Sequence, residues 1–445
     1  MPRWLYGLLI FTILAPLINL LFPGSALLLF IIAGLGILPL AALIGQSVEQ
    51  VAEHTGERIG GLLFATFGNA TELIIGIFAL TEGLVDVVRA SIIGSILGNA
   101  LLVLGVSVCV GGFKHGRLRF ETRPASQYAS LLALCIGGLV LPAFAELLAA
   151  RTHQPQIFEH GVLLSDFISV LLLLGYLAFI LFSVFRLGDV EDELAPLLGA
   201  RSEAAIERLL AYRHHLAQSS LPHKSGVLRQ IDSTVNAIMT QEAGDTISHP
   251  ESSKHEAGDT ISHPESLKQA PLPSQEKQAE RQKQSEQKPE RKPNLWLALL
   301  LLAIATAGVA WLSEILVGTI EPFTAALHWN PAFVGLIFVP LIGGLPEYFN
   351  TISMALDKRM GMVLAASAGS SIQIALLVAP ILVLLSLFAP KRLDLVFSVV
   401  ELAVLGLATF LFSEITKDGE LVWLEGLLLI LLYAMMGGTV FLFGA

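Results

Sequence analysis

Two glutamates stand at matching places in two apolar stretches of this chain. Glu72 lies in a stretch that begins at Gly68, and Glu347 lies in one that begins at Gly343. Aligned without a gap, the stretches share 11 of 36 residues, including both glutamates and both first glycines. Ionisable groups inside a membrane are costly and usually mark the path of an ion or proton. Two of them at corresponding places in a duplicated chain predict a transporter whose site lies between its repeats.

The residues around the glutamates predict a site for a hard cation such as calcium. Calcium takes about six to eight oxygen ligands, and two carboxylates would neutralise its charge. The predicted cation- and proton-binding residues are Glu72, Glu347, Asn69, Ser95, Asn99, Ser370, Ser371 and Gln373, with the two glutamates as metal ligands. Helix breaks, which free backbone carbonyls for an ion, are predicted at Gly68, Ala70, Gly343, Gly344 and Pro346.

The same carboxylates suit exchange of a cation for protons. A carboxyl group that is removed from water tends to keep its proton. A metal ion that enters the site would expel the proton, so competition for one site couples the two fluxes. For Glu314, Glu321, Glu401 and Asp166, which also lie in or near apolar stretches, helix-end or structural roles are predicted instead.

Composition indicates that membrane helices position these residues. The chain is 54% hydrophobic and 14% charged, whereas soluble domains carry about 25% charged residues, and its mean hydropathy is +0.70. Apolar runs long enough to cross a bilayer occur near residues 4–22, 25–46, 60–80, 90–112, 125–148, 161–185, 294–317, 330–356, 361–389, 394–414 and 420–443. Backbone groups in lipid must be satisfied within the span. The predicted fold is therefore an all-α polytopic membrane protein with about 11 transmembrane helices.

One polar segment divides the chain into unequal halves. The predicted divisions are an N-terminal extra transmembrane helix (1–24), a first repeat (25–188), a polar loop (189–293) and a second repeat (294–445). The loop opens with an acidic cluster and contains EAGDTISHPES twice. It is rich in Glu, Lys, Gln, Ser and Pro, so we expect disorder there. The first apolar run has no small-residue cleavage site after it and is read as a retained helix.

Charges at the ends of the spans predict the orientation in the membrane. Basic residues favour cytoplasmic loops, and the loop after the fourth span carries four of them, Lys114, Arg117, Arg119 and Arg123. Lys391 and Arg392 run against the pattern. On balance, the N-terminus and the long loop face the cytoplasm, in a plasma or inner membrane rather than an organelle membrane. Since each repeat has five spans, an odd number, the repeats enter the membrane in opposite directions.

Other function classes find little support in the composition. The net charge is −10, with no basic excess for nucleic acid. Cys109 and Cys135 lie in apolar spans and are interpreted as packing residues. The spans contain no His/Cys metal cluster and no nucleophile with a plausible base. We therefore predict a transporter rather than an enzyme, with no cofactor, with calcium, protons and the lipid bilayer as partners, and with homo-oligomerisation left open.

Several motifs resemble the calcium/proton antiporters of the calcium/cation exchanger superfamily. The motifs are Gly68–Ile75, Gly94–Leu97, Ser313–Glu321, Gly369–Ala375 and Asp418–Gly426. The resemblance implies one extra helix plus two inverted five-helix repeats, and export of cytosolic calcium in exchange for protons. It also implies that Glu72 and Glu347 are the central ligands, flanked by Asn69, Ser95, Ser370 and Gln373.

The second repeat departs from the family pattern. Where the family has Gly-Asn-Ala-Ala-Glu-His, this chain has Gly343-Gly344-Leu345-Pro346-Glu347-Tyr348. An amide oxygen and an imidazole are missing, so a sodium/proton or other cation/proton antiporter is the alternative. A cation channel lined by acidic residues is a further alternative. Inverted repeats and broken helices favour a carrier over a channel.

Overall fold

The structure is a computed structural model that describes most of the chain outside the long polar segment. The described residues are 3–55, 57–152, 155–183, 213, 228–229, 231–233 and 294–443. Residues Met1–Phe185 and Lys292–Ala445 together form one compact unit, and Arg186–Arg291 form a second. The polar loop predicted at 189–293 lies almost entirely outside the described residues and remains a prediction.

The described part of the chain before the long segment is helical. Its helices are α1 (Arg3–Leu21), α2 (Ala26–Thr55), α3 (Glu57–Phe67), α4 (Ala70–Thr81), α5 (Val85–Leu97), α6 (Leu104–His115), α7 (Thr122–Thr152) and α8 (Pro155–Ser183). A π-helical turn, Gly98–Val103, joins α5 to α6. A two-residue strand, β1 (Leu118–Arg119), follows α6.

The part after the long segment repeats this pattern. Its helices are α9 (Leu295–Gly318), α10 (Ile320–Leu327), α11 (Pro331–Gly343), α12 (Leu345–Leu356), α13 (Met360–Gln373), α14 (Ala379–Leu385), α15 (Val399–Ile415) and α16 (Trp423–Phe443). A π-helical turn, Ile374–Val378, joins α13 to α14, and a 3₁₀ turn, Ser386–Phe388, follows. The strand β2 (Glu420–Leu421) pairs antiparallel with β1.

Helix boundaries reproduce the repeat that the sequence predicts. In the ungapped alignment of the repeats, the first and last residues of α12 match the first and last residues of α4, and α13 begins where α5 does. The two π-helical turns also end at matched residues, Val103 and Val378. Single π turns inside α-helices are rare and often occur at functional sites. The matched pair therefore draws attention to the middle of these two helices.

Seven helices in the described residues are long and apolar enough to cross a membrane, or eight if the bent pair α10 and α11 counts as one span. Helix α1 is a shorter apolar helix. Two of the predicted spans are broken, because 60–80 contains the end of α3 and most of α4, and 330–356 contains α11 and α12. The protein is thus a multi-helix membrane protein, and the count of about eleven spans remains a prediction.

Glycines bring α5 and α11 into backbone contact. A Cβ atom at Gly94 would lie 2.1 Å from the carbonyl oxygen of Leu336, and one at Gly335 would lie 2.5 Å from that of Val87. No side chain fits at such distances. Small residues are the usual means by which membrane helices approach closely. This contact fixes α11, and therefore the start of α12, against α5.

The segment before α15 differs from the sequence prediction. The run 394–414 was expected to be helical from its start, but α15 begins at Val399. Ser398 caps it, because the Ser398 hydroxyl accepts from the Glu401 backbone N–H while the Glu401 carboxylate accepts from the Ser398 N–H. The structural role predicted for Glu401 is confirmed.

An ion pair anchors the same segment to α8. Arg392 Nη2 lies 2.6 and 2.7 Å from the two carboxylate oxygens of Asp166. Both side chains are about one quarter exposed, so the pair is partly shielded from water. The structural role predicted for Asp166 is therefore confirmed as well.

Candidate cation site between two half-helices

Two short helices begin at the same place in each repeat, and each carries one of the predicted glutamates. Glu72 is the third residue of α4, and Glu347 is the third residue of α12. The first backbone N–H groups of a helix have no partner within it, and the helix dipole adds positive potential there. Each carboxylate therefore lies where the backbone favours negative charge.

The predicted chain breaks lie immediately before these helices. Gly68 and Asn69 separate α3 from α4, and Gly344 separates α11, which ends at Gly343, from α12. Ala70 is the first residue of α4. Pro346 lies in the first turn of α12, where its missing N–H leaves no helix hydrogen bond unmade.

The two carboxylates converge beside the second break. A Cβ atom at Gly344 would lie 3.5 Å from Oε1 of Glu72 and 3.8 Å from Oε2 of Glu347. Both oxygens therefore lie within contact distance of the same point, which is the vacant side-chain position of Gly344. A Cβ atom at Gly343 would lie 3.0 Å from Cδ of Glu72. The absence of side chains at both glycines leaves the space that the carboxylates share.

Asn69 and both glutamates each carry a buried oxygen without a hydrogen-bond partner among the described residues. In the described part of the chain, six buried side-chain polar atoms have no hydrogen-bond partner, and three of them are Asn69 Oδ1, Glu72 Oε2 and Glu347 Oε2. Glu72 is 7% exposed and Asn69 is 2% exposed. Buried polar atoms normally have partners, and an orphan calls for an explanation such as an ion or a water. Three oxygens without donors fit a cation.

An amide pair joins the two repeats next to the carboxylates. Asn69 Nδ2 donates a hydrogen bond of 2.6 Å to Gln373 Oε1. The bond holds the start of α4 against the end of α13. The other polar atom of the Asn69 amide, Oδ1, is buried without a hydrogen-bond partner in the described part of the chain. Two residues predicted separately from the two repeats are therefore in contact.

The other predicted residues lie on the helices that follow. Ser95 and Asn99 are buried, at 6% and 5% exposure, and Ser370 is half-buried. Ser371 is fully buried, and its hydroxyl lies 3.1 Å from the carbonyl oxygen of Ile96, its own repeat-matched position. The hydroxyl lies at the same distance, 3.1 Å, from the carbonyl oxygen of Ser367 in its own helix, so both acceptors near this hydroxyl are backbone groups. Its role as an ion ligand remains a prediction.

A buried polar link beneath Glu347 was not predicted. Ser107 Oγ donates to Thr351 Oγ1 at 2.9 Å, and Thr351 Oγ1 donates to the Glu347 carbonyl oxygen at 2.7 Å. In the repeat alignment, Ser107 matches Leu382 and Thr351 matches Gly76. A Cβ atom at Gly76 would lie 2.8 Å from Cδ1 of Leu382. Both matched pairs are therefore close in the structure. Neither residue alone carries a signal.

Among the described residues, no group of three or more His, Cys, Asp or Glu side chains could hold a metal ion. The candidate site offers two carboxylates, and the other predicted ligands are amide, hydroxyl and backbone oxygens. Such a mixed oxygen set suits hard cations.

Comparisons with known proteins give a consistent result. The sequence profile of the sodium/calcium exchanger protein family matches residues 25–185 and 297–442. The Ca(2+)/H(+) antiporter of Synechocystis sp. is 32% identical over 407 residues, which cover 92% of this chain and 89% of that protein. The Ca(2+)/H(+) antiporter ChaA of Bacillus subtilis is 31% identical over 93% of this chain and 92% of that protein. The structure of native YfkE superposes with a TM-score of 0.66 at 27% identity, covering 98% of this chain and 99% of that one.

Proposed function

Because the chain belongs to the sodium/calcium exchanger protein family, we propose that it is a secondary antiporter that exports cytosolic calcium in exchange for protons. Two relatives that align with nearly its whole length bear the name Ca(2+)/H(+) antiporter, which supports the choice of ions. The observation that carries the proposal is the convergence of two carboxylates with unpartnered oxygens at the start of two half-helices. It acts as a transporter, not an enzyme, and needs no cofactor.

Glu72 and Glu347 are the central ligands for cation and proton. When both are ionised, their charge of −2 balances one calcium ion. Desolvated carboxylates without a cation hold protons instead, so each ion excludes the other. Alternating access then carries calcium in one direction and protons in the other, with no separate proton path.

The remaining ligands come from both repeats. Asn69 Oδ1 is buried and free to bind, and the paired Gln373 lies next to it. Ser95, Asn99 and Ser370 flank the site from α5, the π-helical turn and α13, while Ser371 joins the helices. Carbonyls at the breaks around Gly68 and Gly343 complete the set.

A different cation is the alternative that a specific observation favours. Gly344 occupies the position that matches Asn69, so the second repeat contributes no amide oxygen there. A site with fewer ligands binds calcium less tightly and discriminates less between cations. Sodium or another cation would then be exchanged for protons at the same glutamates.

The charges at the ends of the spans give an orientation for the protein in its membrane. We infer that the N-terminus and the long loop are cytoplasmic, in a plasma or inner membrane. The start of α3 and the start of α13 then lie on the cytoplasmic side, and the starts of α5 and α11 on the other. The oligomeric state stays open.

The test is calcium uptake into proteoliposomes with an acidic interior. We expect uptake that depends on the proton gradient and falls at least about tenfold in Glu72→Gln and in Glu347→Gln, because an amide cannot exchange a proton. The matched control is Glu321→Gln, which changes an exposed glutamate on α10 and should transport normally. Calcium uptake that does not depend on the proton gradient would indicate a channel. Sodium flux without calcium flux would support the alternative of a sodium/proton antiporter.

A second readout is proton release in weakly buffered detergent solution. Calcium added to the purified protein should release protons, and the two Gln variants should release fewer. Calcium binding without any proton release would contradict the proposed coupling.

A further inference from the structure

An apolar groove lies between α2, α10 and α11. Its volume is about 500 Å³, and all thirteen described residues that line it are leucine, isoleucine, phenylalanine, tryptophan or glycine. Ligand pockets in proteins usually hold about 300–1,000 Å³, so the groove has the size of a binding site. What it offers a ligand is dispersion contact and the exclusion of water.

The groove opens toward lipid. Three of its lining residues, Leu27, Ile31 and Leu341, are 46%, 49% and 39% exposed and form its mouth. Phe30 and Phe323, at 2% and 3% exposure, form its floor. Because α2 and the bent pair α10 and α11 are apolar enough to cross a membrane, the exposed side chains at the mouth meet hydrocarbon. Apolar cavities stay dry, so the occupant that this opening admits is itself a hydrocarbon.

Helix α10 closes one end of the groove. Its axis is bent by 118° from that of α11, and its residues Phe323 and Leu327 line the groove. The rings of Phe30 and Phe323 stack with their centroids 4.1 Å apart. Trp329 lies with its ring centroid 5.8 Å from those of Phe323 and Phe338. A straight partner helix placed along α11 would meet α10, whereas a flexible acyl chain fits beneath it.

The two sides of α10 place this closed end at the membrane interface. Pro322 lines a polar pocket together with Glu82 and Glu314, whereas Phe323 and Leu327 line the apolar groove. A short helix with one polar and one apolar side lies at the boundary between headgroups and acyl chains, where tryptophan is also enriched. The groove therefore begins at the interface and runs into the bilayer.

The other end of the groove reaches the break between α11 and α12. On α2, the groove extends from Leu27 to Leu38, which corresponds to about 16 Å along a helix. On the opposite wall, Ile342 and Leu345 line it from either side of the break. Leu345 precedes Glu347 by two residues. A molecule in the groove therefore touches the segment that positions one of the two carboxylates.

We propose that the groove binds one acyl chain of a membrane lipid, which enters beside α10 and ends against the break between α11 and α12. Under the predicted orientation, the lipid belongs to the leaflet opposite the cytoplasm. The chain fills a space that would otherwise leave apolar walls without contacts. Its second role rests on the proposed function: by packing against Leu345, it holds the start of α12, and with it Glu347, in place for the cation.

The first test uses Trp329 as a fluorescent reporter of the chain. Protein that keeps Trp329, with every other tryptophan replaced by phenylalanine, is reconstituted in phosphatidylcholine with brominated acyl chains, which quench nearby indoles. We expect quenching to fall at least about twofold when Leu35→Phe and Leu38→Phe together fill the groove. The matched control is Leu28→Phe, an exposed leucine of α2 outside the groove, and it should not change the quenching. Equal quenching with the groove open and filled would overturn the proposal.

A second measurement leaves the groove unaltered, so it does not depend on whether the filled variant folds. Dibromostearate added to the Trp329 protein in detergent should quench it saturably, up to one molecule per protein, and unbrominated stearate should reverse the effect. In protein that keeps Trp296 instead, which is 80% exposed at the start of α9, quenching should rise without saturation. Unsaturable quenching of Trp329 would mean contact with the micelle only, and unquenched Trp329 would mean that a second copy or another protein covers the groove. Either result would contradict the lipid site.

The last test asks whether the bound chain matters for transport. Calcium uptake by wild type should fall at least about threefold when the straight acyl chains of the vesicles are replaced by methyl-branched ones, which are too wide for the groove. Protein with Leu35→Phe and Leu38→Phe should not respond, and Leu28→Phe should respond as wild type does. An equal response of all three would overturn the role assigned to the chain. If wild type moves no calcium but Trp329 is quenched as expected, the proposed function fails and the lipid site stands.

Discussion

Asn69 shows, at the scale of single residues, that the repeats are not equivalent at the site. Its amide pairs with Gln373, but the matched residues are Gly344 and Gly98, which have no side chains. The amide pair therefore has no counterpart at the positions that match it in the other repeat.

A double-mutant cycle should detect the amide pair. Asn69→Ala and Gln373→Ala should each weaken calcium binding, since each removes a ligand or the group that orients it. Because the two amides share a hydrogen bond, their effects should depart from additivity by about 1 kcal/mol. Calorimetric titration of the four proteins with calcium measures the coupling. Asn19→Ala, an exposed asparagine on α1, is the control, and strictly additive effects would mean that the pair does not act as a unit.

Gly343→Ala should weaken calcium binding without unfolding the protein. The new Cβ would lie 3.0 Å from both Cγ and Cδ of Glu72, so the carboxylate has to move by a few tenths of an ångström. We expect a loss of about tenfold in calcium affinity, equivalent to about 1.4 kcal/mol. Gly45→Ala on α2, where a Cβ meets nothing within 4 Å, should bind normally. Unchanged affinity in Gly343→Ala would show that the Glu72 position in this structure is not the binding one.

At the scale of elements, the length of the apolar runs predicted most helices but not the residue at which α15 begins. The missed signal has a period of two. Leu393, Leu395 and Phe397 are 0%, 0% and 4% exposed, and the residues between them are half-buried. Alternate burial is the pattern of an extended chain, whereas a hydropathy window counts the same residues as a helix. Arg392 fixes the segment through a distant partner, which no local pattern predicts.

The sequence predicted the candidate site better than its surroundings, for a physical reason. Glu72 and Glu347 stand out because a charge in an apolar run is costly, and glycine and proline mark the breaks beside them. Ser107 and Thr351 do not stand out, since hydroxyls are common in membrane helices and often bond to their own backbone. For Ser371 the sequence offered the residue type but not the direction of its hydroxyl. Directions depend on helix crossings, which only the folded chain specifies.

The Asp166–Arg392 pair should matter more for stability than a surface pair. Arg392→Ala would leave a partly buried carboxylate without its two hydrogen bonds, which costs about 1–3 kcal/mol. Lys417→Ala, which removes the exposed partner of Glu414, should change stability by no more than about 0.5 kcal/mol. Thermal unfolding in detergent measures both variants. Equal effects would indicate that water reaches the Asp166 pair as freely as the exposed one.

At the scale of the whole molecule, the two repeats differ in the face of the membrane toward which their half-helices are predicted to run. Helices α4 and α12 both begin at the candidate site and extend away from it for 12 residues each. If the repeats are inverted, the two helices leave the site toward opposite faces of the membrane. The flanking charges agree, because Glu82 and Asp86 follow α4, whereas Lys358 and Arg359 follow α12, and basic residues favour the cytoplasmic side.

Glu82 and Asp357 provide a matched pair for testing this direction. They occupy the same position in the two repeats, both acidic and both exposed, at the ends of α4 and α12. In protein lacking Cys109 and Cys135, Glu82→Cys should react with a membrane-impermeant maleimide in right-side-out vesicles. Asp357→Cys should react only after the vesicles are opened, because its helix ends at the cytoplasmic face. Labelling of both from one side would mean parallel repeats. The half-helices would then point toward the same face of the membrane.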